Sequence, residues 1–227
     1  GFDLPIQVGR SLGLELKPYY SMALGSIETT PLQLTSAYQA FANLGVWCKP
    51  YFIVKIVSSD GRVLEENNPR CEQVLPPQET RVLVDMLRAV VLEGTGASAS
   101  SIDRFVAGKT GTTNDYMDAW FVGFTPQIVA GVWVGFDLKR SMGKGMAGAR
   151  VALPIWIDFM SVAAYMFPKE DFPVPEGVVF VNCPNPMAFV AGTEEICSQE
   201  REKPMDELEG IVEPEFLPQQ PKIKELP

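Results

Sequence analysis

The sequence predicts an α+β fold, an antiparallel sheet with helices packed against it. Helix-like and strand-like patterns alternate along the first two thirds of the chain. The strand-like runs are joined by tight turns, which makes them antiparallel neighbours. One helix pattern near residue 155 has almost no polar face, as expected for a helix laid on a sheet.

Each element has a local cause. Thr30-Pro31-Leu32-Gln33 is a capping box with proline at the first helical position. Leu34, Tyr38, Phe41 and Leu44 then share a face, and Gly45 stops the helix. Tyr51 to Ser58 and Arg62 to Glu66 are strand-like and meet at Asp60-Gly61, a hairpin signal. A second helix is expected from Pro77 to Leu92, with Val82, Leu83, Met86, Leu87, Val90 and Val91 inward and Gly94 ending it. Phe105 to Thr112 reads as a strand. Asp118 to Thr125 and Gln127 to Phe136 read as a hairpin turning at Pro126, rich in Trp, Phe and Val. Arg150 to Met166 is the apolar last helix. Gly1-Phe2-Asp3-Leu4-Pro5 has neither capping nor targeting character, and about five strands are visible, so the N-terminal half of the domain is expected to be absent.

Composition sets the bounds on function. Hydrophobic residues make up 46% of the 227 and charged residues 21%, enough for a sizeable core. No run reaches the roughly 18 apolar residues of a membrane span. Val151 to Met166 comes closest, is interrupted by Asp158 and reads as a buried helix. There is no histidine, which excludes Ser-His-Asp and Cys-His nucleophile systems and leaves lysine as the base for any activated serine. A net charge of −9 argues against nucleic acid as partner.

The charge is unevenly placed. Residues 1–167 carry 15 acidic and 14 basic groups; residues 168–227 carry 13 and 5, together with 10 of the 19 prolines. The first part is expected to be a packed domain and the second a loosely structured, acidic extension. Cys48 and Cys71 lie in the body, and buried thiols or a pair both stay open for them. Cys183 and Cys197 flank Pro184, Pro186 and Gly192 in the extension. A disulfide is expected there, because a small coreless segment gains most from a staple. No CxxC pair suggests zinc or redox chemistry.

The chemistry centres on Ala107-Gly108-Lys109-Thr110-Gly111-Thr112-Thr113. A phosphate-binding loop of the form G-x-x-x-x-G-K-[ST] needs glycine at position 103, where Asp103 stands, and the chain then turns into a hairpin instead of a helix. Lys-Thr-Gly on an edge strand is instead suited to docking a peptide-like ligand: the lysine supplies charge, the threonine hydroxyl binds a carboxylate, and the glycine lets a backbone approach.

The longer string Gly108-Lys-Thr-Gly-Thr-Thr-Asn-Asp-Tyr-Met-Asp-Ala-Trp-Phe-Val-Gly-Phe-Thr-Pro126, followed by Gly131-Val-Trp-Val-Gly-Phe-Asp137, closely resembles the transpeptidase domain of bifunctional, class A penicillin-binding proteins. Ala23-Leu-Gly-Ser-Ile-Glu-Thr-Thr-Pro-Leu32, Glu93-Gly-Thr-Gly96 and Ala152-Leu-Pro-Ile-Trp156 match as well. The resemblance covers residues 10 to 167; Gly177 to Ala191 resembles the family's C-terminal extension only faintly.

The resemblance implies a penicillin-binding/β-lactamase-like transpeptidase fold. It also implies a D,D-transpeptidase that cross-links peptidoglycan stem peptides through an acyl-enzyme on serine and is a target of β-lactams. No cofactor and no metal is implied. Carried over by position, Lys109 supplies positive charge and joins the proton-transfer network. Thr110 and Thr112 contact the substrate or β-lactam carboxylate, Gly111 admits its backbone, and Thr113 helps to hold the carboxylate. The Thr112 N–H becomes one oxyanion donor, worth roughly 3 kcal/mol. Trp120, Trp133 and Trp156 are expected in the core, and Asp118 is either a cleft residue or a satisfied turn carboxylate.

The family's nucleophile sits in S-x-x-K, with S-x-N as a second motif, and both precede Lys-Thr-Gly. The chain contains no S-x-N. Its one S-x-x-K, Ser141-Met142-Gly143-Lys144, follows the third motif and lies among Gly143, Gly145 and Gly148, so it is read as a chance match. The nucleophile is therefore expected upstream of Gly1, with a glycosyltransferase domain and a membrane anchor further upstream. The implied place is the extracytoplasmic face of the bacterial inner membrane, or periplasm. Two other classes stay open: a β-lactamase or β-lactam sensor, separable by its deacylation rate, and a non-catalytic cell-wall interaction module built on the acidic tail and the Asp60-Gly61 hairpin.

Overall fold

The computed structural model describes residues 1–183 and 185–194. Its centre is a three-stranded antiparallel sheet of β5 (Ala107–Thr112), β6 (Asp118–Phe124) and β7 (Val129–Gly135), in that spatial order. The register pairs Lys109 with Val122, Gly111 with Trp120 and Trp120 with Trp133. Because directly opposed side chains share a face, Phe121, Val132 and Thr110 lie on one side, and Lys109, Val122 and Gly131 on the other.

Helix α4 (Gly148–Ala163) covers the first face. Leu153, Trp156 and Met160 are buried there with Phe121, whose ring meets Trp156 edge-on at 5.0 Å. Helix α2 (Pro31–Ala42) covers the second, so closely that a Cβ on Gly131 would fall 2.1 Å from Thr35 Oγ1. Tyr38, Phe41, Phe124 and Phe172 form the core on that side. Helix α3 (Pro77–Leu92) runs along β5, giving Val84 and Leu87 to the second core and Val91 to the first. Gly148–Met166 is long and apolar enough to cross a bilayer; the buried helix expected here buries one face, with Trp156 and Met160 against the sheet, and leaves Ile155, Phe159 and Val162 exposed.

The capping box expected at Thr30 is present, with Gln33 N–H donating to Thr30 Oγ1 at 3.2 Å and Gln33 Oε1 accepting from Thr30 N–H at 3.1 Å. The bounds of α3 agree with the sequence reading, but its inward face differs: Met86 is 58% exposed, while Thr80 and Arg81 are buried. The cause is a hairpin of β8 (Val178–Cys183) and β9 (Asn185–Val190) seated on α3. Ala188 N–H donates to Asp85 at 3.0 Å, Gln78 donates to the Glu176 carbonyl at 3.0 Å, and the Arg81 guanidinium lies over the Phe180 ring. Within the segment after Phe167, expected to be loosely structured, Val178–Cys183 and Asn185–Val190 thus form strands that pack on α3.

Three further elements lacked a clear sequence signal. Helix α1 (Asp3–Ser11) starts without a side-chain cap, with Asp3 in its first turn, where an acid favours the helix dipole. Strands β1 (Val46–Cys48) and β4 (Cys71–Gln73) pair directly, and Cys48 and Cys71, left open by the sequence, form a disulfide with Cα atoms 4.0 Å apart. Between them β2 (Lys55–Val57) and β3 (Val63–Glu66) make the Asp60-Gly61 hairpin, shorter than the strand-like runs. Cys197 lies outside the described residues, and with it the expected Cys183–Cys197 pair.

Candidate active site

Strand β5 sits at the edge of its sheet, and its ladder phase decides what that edge presents. Thr113 N–H donates to the Asp118 carbonyl at 3.0 Å. In an antiparallel ladder inward-bonding residues alternate, so Gly111 and Lys109 also bond to β6, and the N–H and C=O groups of Thr110 and Thr112 point away from it. Among the described residues no backbone hydrogen bond joins that edge to another segment. This edge is open.

The side chains around it are placed from several elements. Lys109 is exposed, its Nζ donates to the Thr110 carbonyl at 3.1 Å, and among the described residues it pairs with no carboxylate. Its charge is therefore available to a ligand. Thr110 Oγ1 lies 2.7 Å from Thr95 Oγ1, and Thr112 Oγ1 accepts from Gly148 N–H at 3.1 Å. Gly111 lies close to β6: a Cβ there would stand 3.1 Å from Trp120 Cβ, tighter than an ordinary contact.

Thr113 is tied to its own turn. Its hydroxyl accepts from Asp118 N–H at 2.7 Å and lies 3.2 Å from Asp118 Oδ2, while Trp133 Nε1 donates to Asp118 Oδ1 at 2.9 Å. Asp118 is the satisfied turn carboxylate of the two readings. The turn it secures holds Asp115 and Tyr116 at φ of 58° and 54°, left-handed values that cost a bulky residue free energy. Met142 N–H donates to the Tyr116 carbonyl at 2.9 Å and Ser141 Oγ to the Asp115 carbonyl at 2.5 Å, which pins the turn from the other side. Ser141 thus lies in a glycine-containing loop before α4, with its hydroxyl proton on a backbone carbonyl. Trp156 is fully buried as expected, whereas Trp120 and Trp133 are half-buried, 6.4 Å apart. A depression of about 430 Å³ lined by Ala42, Leu44, Pro126 and Asp171 lies at the opposite end of the sheet, away from Lys109.

The helix-flanked antiparallel sheet has the fold of penicillin-binding protein transpeptidases. The crystal structure of penicillin-binding protein 1A from Haemophilus influenzae superposes with a TM-score of 0.78 at 28% identity, over 85% of this chain and 37% of that one. That of PonA1 from Mycobacterium tuberculosis does so with 0.63 at 27%, over 72% and 45%.

The chain belongs to the penicillin binding protein transpeptidase domain family, whose pattern matches residues 15–160. It is 62% identical over 208 residues to penicillin-binding protein 1A of Aquifex aeolicus, covering 86% of this chain and 29% of that protein. With penicillin-binding protein 1A of Neisseria lactamica it shares 42% over 174 residues, 74% of this chain and 22% of that protein. The chain therefore spans about a quarter of the length of these relatives.

Sequence reading found the β5 string and missed Thr95 and Gly148 as its neighbours. Both stand in strings singled out above, or beside them, but nothing in a string says which strand it will meet.

Proposed function

We propose that the chain is the C-terminal portion of a peptidoglycan D,D-transpeptidase domain, residues 1–167, followed by an acidic extension, residues 168–227. The observation that carries this reading is the open β5 edge, with an unneutralised lysine whose Nζ reaches it at the Thr110 carbonyl and with two threonine hydroxyls on the neighbouring face of the strand. Lys109 attracts the anionic end of a stem peptide or β-lactam and joins the proton-transfer network. Thr110 and Thr112 donate to the ligand carboxylate, and the ligand backbone lies along the edge at Gly111. Thr112 N–H, directed off the ladder, serves as one oxyanion donor. Thr113 acts at one remove, fixing the turn through Asp118. Penicillin V is the ligand in a further PonA1 structure from Mycobacterium tuberculosis, 27% identical over 72% of this chain, which supports β-lactams as a ligand class.

In this reading the nucleophilic serine comes from an upstream segment. The coverage of about a quarter of the relatives supports this. So does the outer face of α4, where Ile155, Phe159 and Val162 recur at helical spacing and are 51%, 55% and 70% exposed, an apolar stripe of the kind that other protein usually covers. The disulfide Cys48–Cys71 agrees with an extracytoplasmic, oxidising setting at the inner membrane.

The test is incubation of the purified 227 residues with fluorescent penicillin, alone and joined to the upstream segment. The expected result is a stoichiometric, hydroxylamine-sensitive adduct only in the second case. Stoichiometric labelling of the chain alone, with Ser141 the first position to examine, would overturn the assignment.

A further inference from the structure

Both hydroxyls of the β5 edge are held from outside the strand. Gly148 N–H fills an acceptor site of Thr112 Oγ1 at 3.1 Å, which leaves the Thr112 hydrogen free for an anion. At Thr110 the neighbour is Thr95 Oγ1, 2.7 Å away. Among the described residues neither of these two hydroxyls has another hydrogen-bond partner.

Thr95 stands in Glu93-Gly94-Thr95-Gly96, the turn that ends α3. The turn is tightly closed: Gly96 N–H donates to the Val90 carbonyl at 2.9 Å and Ala97 N–H to the Gly94 carbonyl at 3.2 Å. A Cβ on Gly94 would fall 2.8 Å from Val90 Cα, and one on Gly96 would fall 3.2 Å from the Val90 oxygen and 3.4 Å from Phe121. Two glycines thus press the turn against its own helix and against β6, and the threonine between them is delivered to β5 on a fixed backbone.

On the reading that Thr110 receives a ligand carboxylate, we propose that Thr95 is a positioning residue: it donates its hydroxyl hydrogen to Thr110 and thereby turns the Thr110 hydrogen outward. A hydroxyl has one hydrogen and two acceptor sites. Left alone, the Thr110 hydroxyl rotates to nearby backbone or water. With Thr95 donating to it, its own hydrogen is directed to a different acceptor, and an incoming carboxylate forms a charge-assisted bond there. Thr110 and Thr112 then present two preset donors to one anion.

The experiment uses the complete protein, nucleophile included. It measures second-order acylation by a penicillin and by the same penicillin with its carboxylate esterified. Thr95→Val keeps the side-chain shape and removes the donor; Thr95 is exposed, so Thr95→Ala serves equally if the valine variant folds poorly. The expected loss is about tenfold for the carboxylate form and under about twofold for the ester. Thr95→Ser should restore the rate, and the double variant with Thr110→Val should be no slower than Thr110→Val alone.

Equal losses on both penicillins would make Thr95 merely structural and overturn the proposal. A double variant slower than Thr110→Val would mean that Thr95 acts independently, which also overturns it. If Thr110→Val loses carboxylate selectivity while Thr95→Val matches the parent, the Thr95 role fails and the site reading stands. If Thr110→Val shows no selective loss, the site reading fails and takes the Thr95 role with it.

Discussion

Lys109 and Tyr38 show two opposite fates for a polar group. Lys109 is exposed and unpaired with any carboxylate among the described residues, so its removal leaves no cavity and returns only the exposed Thr110 carbonyl to water. We predict that Lys109→Ala in the complete protein lowers β-lactam acylation about 10²–10³-fold, as loss of a charge aimed at an anion does, while stability shifts by under about 0.5 kcal/mol. A variant that acylates at the parent rate but unfolds at much lower urea would make Lys109 structural.

Tyr38 instead sits between Phe41 and Phe124, edge-on to each. Burial pushes its phenol up to about 12 from an ordinary 10.0. Below both values the phenol is neutral in either state, and its contribution is fully present. Between them the unfolded chain gives up its proton first, so stability falls as pH rises through that window. The loss amounts to roughly 2–3 kcal/mol. Tyr38→Phe should remove this component: urea unfolding at about pH 9 and about pH 12 should show the parent losing about 2 kcal/mol more than the variant. Parallel losses would refute it.

At the scale of elements, caps, turns and periodicity were legible because each is encoded within a few consecutive residues. Thr30 to Gln33 starts α2, Asp60-Gly61 closes its hairpin, and α3 begins and ends where proline and glycine place it. The inward face of α3 was misread at Met86 and Arg81 because helical spacing shows where apolar residues line up but not where the β8–β9 hairpin will sit. The pairing of Cys48 with Cys71 needed the β1–β4 register, which puts the two side chains directly opposite.

Two predictions belong to this scale. Opening the Cys48–Cys71 disulfide, 23 residues apart in sequence, by substituting both with alanine should cost about 3 kcal/mol on loop-closure grounds. Urea unfolding of the oxidised parent against the double variant measures it, and equal midpoints would argue that the link adds nothing. Gly148→Ala tests the α4–sheet contact. Alanine favours a helix by about 1 kcal/mol, yet here its Cβ would fall 2.3 Å from the Trp120 carbonyl oxygen and 2.5 Å from that of Gly111. Both obstacles are backbone and cannot rotate away, so a net loss of about 1–3 kcal/mol is expected. A stabilised variant would show that α4 is free to retreat from the sheet.

For the whole molecule, the sequence by itself determined the α+β class, the charge imbalance, the absence of histidine and the β5 string that carries the family resemblance. These depend on composition or on residues adjacent along the chain. Only the tertiary structure decided what that string meets. Thr95 reaches Thr110 across 15 residues, Gly148 reaches Thr112 across 36, and Ala188 reaches Asp85 across 103. Strand alternation states which way Thr110 and Thr112 face, but not which helix end or turn will stand opposite. That depends on how α3 and α4 pack on the sheet, which is set by volume and shape around Phe121 and Trp156. Hydrophobic burial is non-directional; a linear pattern of apolar residues therefore marks what is to be covered, and close packing in three dimensions selects the cover.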